Sequence, residues 1–183
     1  MKIDIPPLLY KKVVESSLNR WSNKKPGQFG KGLINNDIDP CKAERIGLLG
    51  EAALGEVIDR KVDYEYKEGG VPHDFRFNNL KLDIKTAGRN YGCGLIRAMS
   101  DKGKLIPLKS DAYIFAFLES ENKTNSVACV NLVGWVSKEE VENCSVVPAK
   151  IGKHFNFEIP YDKLHPIEEL RKFKREDPGK IKE

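Results

Sequence analysis

Two acidic residues and one lysine lie near the middle of the sequence at a spacing that suits chemistry on a phosphate. Asp83 and Lys85 are separated by one residue, so on a β-strand their side chains point to the same face. The segment between Asp74 and Asp83 has Asn78-Asn79 at its centre, which predicts a β-hairpin. Such a hairpin brings Asp74 beside Asp83. Two carboxylates next to an ammonium group can hold a divalent cation and a phosphate together, which is the chemistry of phosphodiester hydrolysis.

A third carboxylate lies on a predicted helix upstream of the hairpin. Apolar residues recur at spacings of three and four over 43–58, which predicts an amphipathic helix that carries Glu51. Asp39-Pro40 suits a cap before its first turn. Glu44 shares a face with Glu51 but is better explained as a surface residue at the positive end of the helix. Three glycines in this helix each cost about 1 kcal/mol of propensity relative to Ala, which indicates close packing: Gly47, Gly50 and Gly55.

The order of these residues resembles the motif of the PD-(D/E)xK nuclease superfamily, which includes many restriction endonucleases, phage and archaeal nucleases and junction resolvases. The resemblance covers residues 43–118 well and extends more weakly to about 170. It implies an α/β fold with a restriction-endonuclease-like α-β-β-β-α-β core, whose central mixed sheet is flanked by helices. The sequence departs from the written motif where His73 stands between Pro72 and Asp74. The expected elements are a helix at 43–58 and strands near 62–67, 72–77, 80–86 and 111–118.

The resemblance also implies a role for each residue of the motif. Asp74 and Asp83, with the backbone carbonyl of Ile84, are expected to bind Mg²⁺ or Mn²⁺. Lys85 is expected to position or help deprotonate the attacking water and to stabilise negative charge on the phosphate. Glu51 is expected to bind a second metal ion or a metal-bound water. The implied activity is hydrolysis of nucleic acid, with DNA endonuclease cleavage as the expected form.

Composition is that of one soluble domain. With 183 residues, 40% hydrophobic and 32% charged, the chain can bury a core of its own. We expect an N-terminal helix and basic loop at 1–42, a core at 43–170 and a basic tail at 171–183. The sequence has no long apolar run and no apolar leader, so we expect a cytoplasmic protein without a membrane partner. Its cysteines are too scattered for a zinc site and are expected to be free thiols.

Positive charge is concentrated near both ends of the chain. Residues 11–31 hold six basic residues against one acidic residue, and 171–183 hold six against three. Basic ends suit a polyanion such as DNA, although for the tail alone a solvated surface is the better explanation. The Gly-rich loop within 22–36 lacks the spacing of a phosphate-binding Walker loop. Candidate contacts to nucleic acid lie in this loop and after Lys85: Lys24, Lys25, Lys31, Arg89, Asn90 and Tyr91.

Further elements complete the expected fold. We predict helices over 8–21 and 164–173, and strands over 126–135 and 155–160. Ser137 and Glu140 have the spacing of a capping box that opens a short helix. A homodimer is compatible with the resemblance, because relatives that cut both strands commonly act in pairs.

Other interpretations remain open at this point. Asp83 and Lys85 could be charges on an edge strand that deter aggregation, and Glu51 could be a surface residue. The chain could also be a non-catalytic nucleic-acid-binding module of the same fold, although such a module gains nothing from carboxylates that face phosphates. A small-molecule hydrolase or transferase has no supporting Ser-His-Asp group or glycine-rich cofactor loop in this sequence.

Overall fold

The computed structural model describes residues 1–23, 41–65, 67, 73–100, 102–150 and 153–173. In chain order its elements are β1 (Lys2–Ile5), α1 (Pro7–Ser22), α2 (Lys42–Ile58), β2 (Phe75–Phe77), β3 (Leu80–Ala87), β4 (Cys93–Met99), β5 (Ala112–Asn122), β6 (Val127–Ser137), α3 (Lys138–Glu142), β7 (Ser145–Pro148), β8 (Phe155–Pro160) and two 3-10 helices, Tyr161–Lys163 and Ile167–Arg171. Among these helices, none has both the length and the apolar character needed to cross a membrane.

The larger of two sheets is mixed. Its five described strands lie in the order β1-β6-β5-β3-β2. β3 and β5 run parallel, and the other neighbouring pairs are antiparallel. β3 therefore lies inside the sheet and β2 lies at its edge. The predicted α/β class with a mixed sheet is confirmed.

Helix α2 covers one face of this sheet. Leu49 and Ala53 lie on its apolar side and join Leu82 and Ile114 in the main core. This arrangement follows from the apolar spacing in the sequence, which places one continuous stripe on the helix. Helix α1 packs against α2 and contributes Tyr10 and Val13 to the same core. The prediction of both helices is confirmed.

A second sheet covers part of the opposite face. Its three described strands lie in the order β4-β8-β7. Ile96 and Phe157 pack against Tyr113 and Phe115 of β5 in a separate cluster. The approach is close, because a Cβ added to Gly94 would lie 2.1 Å from a ring carbon of Phe115. The two sheets therefore pack as layers over the β5 half of the face.

Parts of the expected core differ from the structure. The described residues of the expected strand at 62–67 form no strand, because the Asp63 side chain accepts the N–H of Glu65 at 3.1 Å and bends the chain locally. Strand β2 begins at Phe75 rather than near residue 72. The described residues between β3 and β5 form β4 and no helix, unlike the implied core. Of the helix expected at 164–173, the structure forms the short 3-10 helix Ile167–Arg171.

Candidate active site

The predicted hairpin brings Asp74 onto strand β3. Asn78 and Asn79 both adopt positive φ, 50° and 63°, which a tight two-residue turn between antiparallel strands requires. The N–H of Asp74 donates to the carbonyl of Leu82 at 2.9 Å. The Oδ2 atom of Asp74 accepts the N–H of Ile84 at 2.7 Å. The Asp74 carboxylate therefore accepts a hydrogen bond from β3 just before the first residue of strand β2, and extends the ladder of the hairpin by one bond.

Asp83 and Lys85 share the face of β3 that points away from α2. Lys85 Nζ lies 2.6 Å from Asp83 Oδ2, and the two side chains are 44% and 16% exposed. In the parallel pairing they stand beside Tyr113 and Phe115 of β5. Burial opposes the charge of Lys85, but Asp83 and then Asp74 outweigh it and raise the pKa of its ammonium group. Lys85 therefore stays charged while part of it faces solvent.

Glu51 reaches the same region because α2 packs very closely on β3. A Cβ added to Gly50 would lie 1.7 Å from Thr86 Oγ1, so glycine is what allows this approach. Glu51 then lies beside Arg20 of α1, whose Nη1 is 3.5 Å from Oε1 of Glu51. Arg20 also donates to the carbonyl of Asp63 at 2.6 Å. The close packing indicated by the helix glycines is confirmed at Gly50.

The electrostatics show that the three carboxylates are neighbours. Burial raises the pKa of Glu51 to about 7, the charge of Asp74 adds to this increase, and Arg20 opposes it. Burial also raises the pKa of Asp74 to about 6, with Asp83 the next cause and the N–H of Ile84 in opposition. Negative charges therefore crowd together where little water reaches them. A bound cation would relieve this repulsion.

The carboxylates of Asp74 and Asp83 are the described groups from which a divalent ion could take ligands. Within the described part of the chain, no three His, Cys, Asp or Glu side chains form a group that could hold a metal ion. Mg²⁺ commonly uses one or two carboxylates and takes its other ligands from water and substrate phosphates. Asp74 and Asp83 meet this requirement. The Ile84 carbonyl lies on the same strand edge as its N–H, which faces Asp74.

Glu51 stands differently from the two aspartates. Its carboxylate is paired with Arg20, whereas among the described contacts that of Asp74 is not. Glu51 therefore lies close to Asp74 and Asp83, but Arg20 competes with a metal ion for its oxygen atoms. Within the described residues, three polar atoms around it are buried without a hydrogen-bond partner: Arg20 Nε, Tyr64 Oη and Thr86 Oγ1. Arg20 and Tyr64 were not among the predicted site residues. No local pattern marks them, because each meets Glu51 through the packing of distant segments.

Three of the predicted nucleic-acid contacts fall on described residues. Arg89, Asn90 and Tyr91 are exposed in the connection after β3. The Arg89 guanidinium lies 4.8 Å from the centre of the Tyr91 ring, and Asn90 Oδ1 accepts the N–H of Gly92 at 2.8 Å. None of the three forms a described contact with Asp74, Asp83 or Lys85. Other residues of the sequence predictions lie outside the described residues: Lys24, Lys25, Lys31, Asp39-Pro40, Pro72 and the tail beyond 173.

Comparisons of this chain with protein-family models, with curated proteins and with solved structures find no match.

Proposed function

We propose that the protein is a metal-dependent nuclease that hydrolyses phosphodiester bonds of DNA, as an endonuclease. The observation that carries the proposal is the convergence of Asp74, Asp83 and Lys85 at one end of the β2–β3 hairpin. The raised pKa values of Asp74 and Glu51 support it, because they mark a crowded acidic site that favours a cation.

Asp74, Asp83 and the Ile84 carbonyl are the groups that would hold Mg²⁺ or Mn²⁺. When bound, such an ion polarises a phosphate and lowers the pKa of a coordinated water. Lys85 supplies a fixed positive charge at the exposed side of Asp83, where it can orient a water and stabilise charge on the phosphate. Its raised pKa suits it to donate hydrogen bonds rather than to act as a base at neutral pH.

Glu51 acts from the helix side of the strand. Arg20 holds its carboxylate near Asp74, and this positioning keeps a further oxygen donor within reach of a second ion or a water. The close contact between Gly50 and Thr86 fixes the distance of the helix from the sheet.

A second candidate is a non-catalytic nucleic-acid-binding module of the same fold. One observation favours it: Asp83 and Glu51 each already contact a cation of the protein, Lys85 and Arg20. These ion pairs can balance the acidic charges without a metal ion. The two candidates differ in whether the carboxylates serve cleavage or merely structure.

Cleavage assays separate the two candidates. The purified protein is incubated with plasmid, linear duplex, single-stranded and branched DNA, with Mg²⁺, with Mn²⁺ or with EDTA. We expect metal-dependent cleavage that is lost in Asp83→Ala and Lys85→Ala while circular dichroism shows a folded chain. Lys2→Ala is a matched control, because Lys2 forms a similar ion pair with Glu119 at 2.7 Å on the far edge of the sheet.

Two results would decide against this mechanism. Full cleavage in EDTA would exclude a catalytic role for a metal ion. Full cleavage by Lys85→Ala would exclude a catalytic role for Lys85. DNA binding without cleavage under every metal would favour the non-catalytic module. Mn²⁺ binding measured by electron paramagnetic resonance gives a second readout, and we expect Asp74→Asn to weaken it.

A further inference from the structure

The half of the sheet face that carries Asp83 and Lys85 is left open by the second sheet. That sheet packs on Tyr113, Phe115 and Val136, which belong to β5 and β6. Strands β2 and β3 lie beyond this contact, at the other side of the larger sheet. A long ligand can therefore lie along β3 on this face.

Three basic residues line this open half. Arg76 pairs directly with Lys81 across the hairpin, so the two side chains share a face. Lys81, Asp83 and Lys85 alternate along β3 and point to that same face, while Phe75 and Leu82 point into the main core. Arg76, Lys81 and Lys85 thus form a cationic row with Asp74 and Asp83 between its ends.

The spacing of the cationic row suits successive phosphates. Lys81 and Lys85 are four residues apart on one strand, about 13 Å at the usual rise of about 3.3 Å per residue. One DNA strand advances about 3.4 Å per nucleotide along the helix axis, so a strand that follows β3 passes more than one phosphate over this distance. A phosphate near Lys85 and Asp83 would have neighbours within reach of Lys81 and Arg76.

The two new members of the row are available for a ligand. In the described part of the chain, neither Arg76 nor Lys81 forms an ion pair. Asp111 accepts the backbone N–H of Lys81 at 2.8 Å, a bond that does not use the Lys81 ammonium group. Arg76 Nε donates to His73 Nε2 at 3.3 Å.

We infer that Arg76 and Lys81 bind backbone phosphates of a DNA strand on one side of the bond that the candidate active site would cut. This inference rests on the proposed function and extends it with the path of the substrate. The contacts carry no base preference, because phosphates are the same in every sequence. The ordinary alternative is that charges on an edge strand deter aggregation.

Fluorescence anisotropy with labelled single-stranded and duplex DNA, in EDTA, tests the inference without cleavage. The variants are Arg76→Gln, Lys81→Gln and the double variant. Lys2→Gln is the control, because it removes the same charge from the opposite edge strand. Each phosphate contact contributes about 0.9 to the slope of log K against log salt, so loss of one should weaken binding about eightfold at about 0.1 M salt. The slope itself should fall by about one for each residue removed.

The outcomes separate this inference from the proposed function. Unchanged affinity and salt slope in the double variant would overturn the inference, even if the protein cuts DNA. Failure of the unmodified protein to bind DNA would overturn both. Weaker binding with a lower slope, in a protein that never cuts DNA, would support the phosphate contacts and count against the nuclease. Equal losses in Lys2→Gln would show a general charge effect and would also refute the inference.

Discussion

Replacing Gly50 with alanine tests the contact that sets the distance between α2 and β3. The added Cβ would lie 1.7 Å from Oγ1, 2.9 Å from Cβ and 3.1 Å from Cγ2 of Thr86. These atoms belong to a short, branched side chain on a central strand, so rotation alone cannot clear the space. The helix or the strand must move, and Glu51 follows Gly50 directly in sequence.

Gly47 in the same helix provides a matched control. A Cβ added there meets no atom within 4 Å. Both substitutions gain about 1 kcal/mol of helix propensity relative to glycine. Gly50→Ala additionally pays for overpacking, typically about 1–3 kcal/mol. We therefore expect Gly47→Ala to stabilise the protein and Gly50→Ala to be less stable than Gly47→Ala by about 1–3 kcal/mol.

Urea unfolding followed by tryptophan fluorescence measures both free energies of unfolding. Because helix propensity cancels in the difference between the variants, that difference isolates the steric cost. Gly50→Ala combined with Thr86→Ala should recover most of the loss, since the clashing atoms beyond Cβ are gone. Equal stability of Gly47→Ala and Gly50→Ala, or no recovery in the double variant, would refute the close contact.

Three further predictions concern the site, the turn and the cap. The pKa of Glu51 is about 7 in the folded protein, against an ordinary value of 4.5. Between pH 4.5 and pH 7 the folded protein therefore keeps the Glu51 proton, whereas the unfolded chain has lost it. Stability should therefore fall as pH rises from 4.5 to 7, with about 3 kcal/mol of the fall coming from Glu51. Unfolding curves of Glu51→Gln should lack that part and keep the fall from Asp74, whose pKa is raised to about 6. Asn79 has φ 63°, so Asn79→Val should lower the free energy of unfolding by about 1–2 kcal/mol, whereas Asn79→Gly should change it little. Thermal unfolding measures both variants, and equal melting temperatures would contradict the proposed turn. Ser137→Ala should cost about 1 kcal/mol, because the Ser137 hydroxyl accepts the N–H of Glu140 at 3.2 Å; urea unfolding should show it, and an unchanged midpoint would count against the cap.

The elements with strong local signals were predicted well from the sequence. Apolar spacing placed α2, and the Asn78-Asn79 pair placed the hairpin that carries Asp74 to Ile84. The capping box at Ser137 and Glu140 is present as predicted. In each case residues close in sequence determine the element, so a local sequence pattern is sufficient to predict it.

The remaining features depend on contacts between distant segments. Strand β4 was not predicted, since its pairing partner β8 lies far along the chain and Gly94 packs on Phe115 rather than following a strong strand pattern. The strand expected at 62–67 alternates suitably in sequence, but a side-chain hydrogen bond from Asp63 competes with it. Arg20 reaches Glu51 because α1 packs on α2, and the spacing of residues in the sequence does not predict this contact.

The residues of the candidate active site come from one continuous stretch, from α2 through the end of β3. Their mutual contacts therefore close short loops, which cost little entropy and form early when a chain folds. The second sheet joins β4 to β8, which follows β6, so this pairing closes a much longer loop, whereas β7 and β8 pair as neighbours in sequence. Insertions or deletions in that later sheet can alter the outer surface while the acidic residues keep their arrangement.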